Sequence, residues 1–101
     1  MDTLKKHTLY VGLNDKDTKT QLVSNPMAMD IVNKVCGDCS IQEITGYYTH
    51  DNGEKVKENT LKVELLFKED NQVLNYCQDL KRLLNQESIA LNIENINSRL
   101  V

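Results

Sequence analysis

Apolar and polar positions alternate near the start of the chain: Leu9, Val11 and Leu13 are separated by Tyr10 and Gly12 and preceded by Thr8, the period of a half-buried strand over residues 7–13. Residues 14–20 are polar and carry Asn-Asp-Lys-Asp, a loop by composition. The period then changes. Ala28, Ile31, Val32 and Val35 share one face of a helix that Ser24 or Asn25 can cap. Pro26 sits in the first turn, where its missing N–H is not needed, and Gly37 supplies the stop. Strands are predicted over 40–49 and about 55–67, joined through His50-Asp51-Asn52-Gly53, whose Asn-Gly pair is a hairpin signal. In the second of these strands Leu61, Val63, Leu65 and Phe67 alternate with Thr60, Lys62, Glu64 and Leu66. Ile41 and Ile44 are out of phase by one residue, so a bulge is expected near Gln42-Glu43. A second helix is predicted over 69–84, with Val73, Tyr76, Cys77, Leu80, Leu83 and Leu84 as its apolar stripe. A last strand over 88–94 turns Ile89, Leu91 and Ile93 one way, and 95–101 form a short tail.

Strand, helix, hairpin, helix, strand is the split βαβ, or ferredoxin-like, order. The expected fold is therefore α+β: one domain over 1–101 in which two helices cover one face of a four-stranded antiparallel sheet. Crossover handedness puts the first and third strands side by side in the middle, read here as parallel, with the second and fourth at the edges. The covered face carries Leu9, Val11, Leu61, Val63 and Leu91. The open face is expected to show Thr8, Tyr10, Gly12, Lys62, Glu64, Leu66, Ser88, Ala90 and Asn92, with Tyr47 or Tyr48 depending on the bulge. Rings, small residues and single charges mixed in this way suit an interface, so a homo-oligomer is expected, a dimer first. Tyrosine is also simply common in strands.

Charge and composition narrow the partners. The 12 basic and 15 acidic residues give a formal net charge of −3, spread without blocks, and Arg82 and Arg99 are the only arginines. That is not the basic footprint of a chain that grips phosphate backbones, so no nucleic-acid partner is expected. No stretch approaches the roughly 20 apolar residues of a membrane span, and the opening residues do not resemble a signal peptide. Three cysteines without an export signal point to reduced thiols and a cytoplasmic location.

The candidate chemistry is sparse. Cys36-Gly37-Asp38-Cys39 has thioredoxin-like spacing but falls at a helix C-terminus, the wrong end for a dipole that lowers a thiol pKa. A zinc site would need two more ligands, and Cys77 reads as core, so neither metal nor cofactor is expected. His7, His50 and Glu58 are expected to cluster at the hairpin end of the sheet, as a His–carboxylate pair able in principle to exchange protons. No nucleophile with a base and an orienting group stands out, and the four glycines are too scattered for a phosphate loop. One spot is sharper. The last strand runs antiparallel to the first, which brings Gln86, Glu87 and Ser88 beside Gly12 and Asn14, and a glycine there lets a ligand or backbone come close. The candidate ligand-binding residues are Tyr10, Gly12, Asn14, Tyr47, Tyr48, Gln86, Glu87 and Ser88. The competing reading has Gln86 and Glu87 satisfying loop N–H groups.

Leu9-Tyr10-Val11-Gly12-Leu13, the strand ending Gly46-Tyr47-Tyr48, Asp51-Asn52-Gly53 with Glu58, and Asn85-Gln86-Glu87-Ser88-Ile89 occur in that order. The set resembles a family of small uncharacterised bacterial and mobile-element domains, for which it implies the same ferredoxin-like fold and no known activity; the Cys pair departs from that pattern. The function expected from the residues is a non-enzymatic, oligomeric binding protein. It would capture a small ligand, such as a signalling nucleotide, or a partner protein, as a mobile-element inhibitor of host defence would. The alternatives are a small enzyme using Tyr10, Glu87 or His50 in a cleft between subunits, and an interaction module docking through Leu100-Val101.

Overall fold

The computed structural model describes residues 4–49 and 52–101. Its elements are β1 (Leu4–Gly12), α1 (Asn25–Cys36), β2 (Ser40–Thr49), β3 (Lys55–Leu66), α2 (Asp70–Leu83) and β4 (Ala90–Ile96). The strands form one sheet in the order β2-β3-β1-β4, with every neighbouring pair antiparallel. This is the α+β, ferredoxin-like βαββαβ architecture, with one correction. β1 and β3 are antiparallel neighbours, because the hairpin after β2 reverses the chain before β3 pairs with β1.

Local chemistry explains the helix limits. The Ser24 side chain accepts the Met27 N–H at 3.3 Å, and Gly37 ends α1 at φ 69°, in the region that favours glycine. α2 begins without a side-chain cap, but it carries Asp70 in its first turn and Lys81 and Arg82 in its last, each at the favourable end of the helix dipole. Leu9, Val11, Leu61, Val63 and Leu65 on one face of the sheet pack with Ala28, Val32 and Cys36 of α1 and Val73, Cys77 and Leu80 of α2. Each buried Leu or Val among them contributes on the order of 1.5–3 kcal/mol by leaving water.

Three further expectations are corrected. The register runs unbroken from Ser40↔Glu64 to Thr49↔Lys55, so β2 has no bulge. Ile41 lies opposite Val63 on the helix-covered face and Ile44 opposite Thr60 on the open one; their mismatch reflects two faces, not a kink. Tyr48, opposite Val56, is therefore the open-face tyrosine, whereas Tyr47 points to the other side and is 75% exposed. Phe67 is no inward strand residue: at φ 62° it turns the chain from β3 toward α2 and stays exposed. Finally, Leu4↔Ile96, Lys5↔Asn95 and Lys6↔Glu94 extend β1 and β4 together, so residues 95 and 96 belong to the strand and not to the tail.

Candidate functional site

The polar groups of the sheet gather at its two ends. At one end β1 finishes at Gly12, opposite Thr60, and the chain turns away through Asn14. The Asn14 N–H donates to Glu58 Oε2 at 2.8 Å, and its carbonyl accepts from Gln86 Nε2 at 2.7 Å. One residue of the β1–α1 loop is thus held by β3 through its N–H and by the approach to β4 through its carbonyl. Gln86 is buried and also donates to the Leu84 carbonyl at 3.3 Å. Its side chain serves loop carbonyls, not the N–H groups of the competing reading.

Two glycines shape this end. A Cβ on Gly12 would lie 2.5 Å from Glu58 Oε1 and 2.7 Å from Oε2, so the carboxylate occupies the space a side chain would fill. Gly46 lies opposite Glu58, and a Cβ there would be 2.7 Å from the Tyr48 ring. The carboxylate therefore lies over bare backbone of β1 and the phenol over bare backbone of β2, on the same open face with β3 between them.

They border a cavity of about 880 Å³, within the roughly 300–1,000 Å³ usual for small-molecule sites. Seven of the eight expected residues line it: Tyr10, Gly12, Asn14, Tyr48, Gln86, Glu87 and Ser88. Tyr47 does not, because it lies on the opposite face. Glu58, Lys16, Lys19 and Lys55 line it too and were not expected there. The antiparallel β1–β3 register carries the signal for Glu58, since it places residue 58 beyond Gly12. With Asp15, Glu54, Glu58 and Glu87 set among lysines, the rim has both signs of charge, which suits a zwitterionic or mixed-charge ligand better than a polyanion.

The loop behind the cavity is braced. Asp15 accepts the N–H groups of Asp17 at 2.9 Å and Thr18 at 3.0 Å, and the Asn85 side-chain amide at 2.8 Å. The Asn85 hydrogen bond, followed by that from Thr18, holds the Asp15 carboxyl below the usual carboxylate range.

The expected cluster of His7, His50 and Glu58 does not form. Glu58 lies at the Gly12 end, whereas His7 is opposite Leu65 toward the other end of β3; His50 lies outside the described residues. His7 Nε2 is 2.8 Å from Asp70 Oδ1, and Lys5 Nζ is 2.7 Å from Asp70 Oδ2. The Lys5 hydrogen bond, then that of His7, lowers the Asp70 pKa. His7 is fully buried and its Nδ1 has no partner among the described residues. The ring is sealed from solvent and lines neither the cavity nor the Gly12 end.

The three cysteines are free thiols. Burial pushes Cys36 up to about 12 and raises Cys39 and Cys77 as well, so none is a ready thiolate at neutral pH. Among the described residues no cluster of three His, Cys, Asp or Glu is placed to hold a metal ion, and no helix is long and apolar enough to cross a membrane.

No protein-family model and no curated protein matches the chain. Solved structures do. A phage SAM lyase in complex with S-methyl-5'-thioadenosine superposes with TM-score 0.70 at 22% identity, over 94% of this chain and 83% of that one. CutA from Synechococcus elongatus PCC7942 gives TM-score 0.61 at 12% identity, over 95% and 79%. A DUF3240 family protein from Shewanella baltica OS155 gives 0.51 at 14% identity, over 100% of both chains. At these identities the likeness is one of fold: a ferredoxin-like sheet with two helices, spanning almost the whole chain.

Proposed function

We propose that the protein binds S-adenosylmethionine in the cavity at the Gly12 end and cleaves it to S-methyl-5'-thioadenosine. The observation that carries this is the Glu58 carboxylate, held by the Asn14 N–H among Tyr10, Tyr48 and lysines inside that cavity. The fold likeness to a phage SAM lyase seen with that thioether supports the choice of ligand. An adenosyl sulfonium has a flat base for an aromatic ring, an α-ammonium for a carboxylate, and a carboxylate for a lysine. All three kinds of group line the cavity.

In this reading Glu58 takes the α-ammonium and fixes the aminobutyrate chain, and Tyr48 or Tyr10 carries the base. The bond between sulfur and the γ-carbon breaks, and its electron pair stays on sulfur as the neutral thioether. The substrate's own carboxylate oxygen bonds to that carbon and closes a lactone, so the atoms and charges balance with no co-reactant. The chain contributes by holding the two ends of the substrate in line, and such positioning supplies much of the barrier reduction in intramolecular displacements.

The cavity opens to solvent, and a second copy of the chain set against the open face would close it. This is the homo-oligomer expected from the sequence, with the site in a cleft between subunits. Consuming the common methyl donor is also one way in which a mobile-element protein would disarm methylation-dependent host defence.

The test is incubation of the purified chain with S-adenosylmethionine, followed by chromatography for the thioether and proton NMR of the second product. Accumulation of S-methyl-5'-thioadenosine with a lactone is the expected result. An unsaturated amino acid in place of the lactone would shift the bond-breaking step to elimination. Binding without turnover would return the protein to the capture role expected from its sequence, and no binding at all would overturn the assignment.

A further inference from the structure

We infer that Gly12 is a positioning residue for Glu58: the side chain it lacks is what lets the carboxylate lie across β1 and reach the Asn14 N–H. The inference rests on the lyase reading of the cavity for its activity readout, but the positioning has a readout of its own.

Glycine at this position is not demanded by the backbone. The positive-φ glycines are Gly37 and Gly53, whereas Gly12 keeps a strand conformation open to any residue. A glycine inside a strand weakens it, through extra chain entropy and the lack of a side chain to pack. What the glycine provides is space. The three nearest atoms to a Cβ at position 12 all belong to the Glu58 carboxylate: Oε1 at 2.5 Å, Cδ at 2.6 Å and Oε2 at 2.7 Å. The same carboxylate accepts the Asn14 N–H at 2.8 Å. Asn14 is in turn fixed from the other side by the buried Gln86. Glu58 is therefore registered against backbone that does not yield, in a gap that only glycine leaves.

The obstructing atoms are the far end of a flexible side chain, which separates stability from function. A methyl group at position 12 makes Glu58 swing aside at little cost to folding, and the swing takes the carboxylate off Asn14 and out of its place in the cavity.

The experiment is a double-mutant cycle on the full chain with G12A, E58Q and G12A/E58Q, reading kcat/KM for S-adenosylmethionine cleavage, melting temperature and Asn14 amide exchange by NMR. G12A is expected to melt at or slightly above the temperature of the unsubstituted chain. Its kcat/KM is expected to fall by roughly 100-fold, the penalty of misplacing a reacting or binding group by about an ångström. The double variant should be no worse than E58Q alone, because the alanine acts only through the carboxylate. Undiminished turnover in G12A, or losses that multiply in the double variant, would overturn the inference. If the unsubstituted chain does not cleave the substrate, the proposed function falls and the amide decides: faster Asn14 exchange in G12A supports the positioning role, and unchanged exchange overturns it. Should G12A fail to fold, G12A/E58D shortens the obstructing side chain by one methylene; recovery of folding supports the inference and persistent misfolding overturns it.

Discussion

The two ends of β1 each hold a carboxylate beside a group of complementary chemistry, yet they are built for different purposes. At the His7 end, Asp70 is shared by His7 at 2.8 Å and Lys5 at 2.7 Å, with the imidazole sealed in the core. At the Gly12 end, Glu58 is held by a backbone N–H and faces a cavity. A His–Asp pair is the familiar sign of proton transfer, but here it is packing. A Glu on a backbone amide is unremarkable in sequence, but here it borders a cavity. What differs between the two ends is access to a cavity, more than the identity of the carboxylate's partner.

That contrast can be broken most directly by E58Q, which keeps an acceptor for the Asn14 N–H but removes the charge. Turnover is expected to fall by roughly 100-fold or more, with the melting temperature unchanged; an active E58Q would make the Gly12 end as structural as the other. Next in size is the pair Tyr48→Ala and Tyr47→Ala. Tyr48 folds over Gly46 inside the cavity and Tyr47 points to the opposite face. Loss of base stacking at Tyr48 should weaken S-methyl-5'-thioadenosine binding by about 1–3 kcal/mol, and Tyr47→Ala should leave it unchanged in calorimetry. Equal losses would reverse the facing assigned to β2.

His7→Leu probes the other side of the comparison. It removes a buried Nδ1 that has no partner among the described residues, which favours the variant, and the Nε2 contact to Asp70, which disfavours it while Lys5 still pairs the carboxylate. The two oppose, so stability should change by no more than about 1 kcal/mol in either direction, with turnover intact. Loss of turnover without loss of folding would make the His7–Asp70 pair functional after all. The smallest effect is the acid limb. The Asp15 and Asp70 carboxyls are both lowered from 3.8 in the fold. Their contribution is complete above that unfolded value and is lost as pH falls through the lower folded one. Thermal melts between about pH 4 and pH 2 should therefore lose stability less steeply in D15N and D70N than in the unsubstituted chain. Because both carboxylates are solvated, the change is modest.

Much of the architecture was legible because the two periodicities are clean. Leu9/Val11 and Leu61/Val63 alternate, and Ala28, Val32 and Val73, Cys77, Leu80 recur at helical spacing. The failures came where one residue type has two explanations. Ile41 and Ile44 suggested a bulge because an isoleucine was assumed to face the helices; Ile44 instead lies beside Thr60 on the open face. Phe67 continued an alternation that a left-handed φ had already ended. At the site, strand direction was enough to bring Gln86, Glu87 and Ser88 to Gly12. Glu58 is the misplaced residue: the sequence pattern sets the hairpin beside the start of β1, whereas pairing from Lys6↔Leu66 to Gly12↔Thr60 puts it beyond the end of that strand. A side chain that reaches diagonally over a neighbouring glycine leaves no periodic trace.

The ten unbroken pairs between β2 and β3 carry one more implication. Adding or deleting a single residue within either strand would shift the pairing by one and turn Tyr48 or Glu58 to the face beneath the helices. Natural variation in chain length should therefore collect in the turn between Thr49 and Lys55, and homologues that differ in length anywhere else in this ribbon should have given up the pocket along with the spacing.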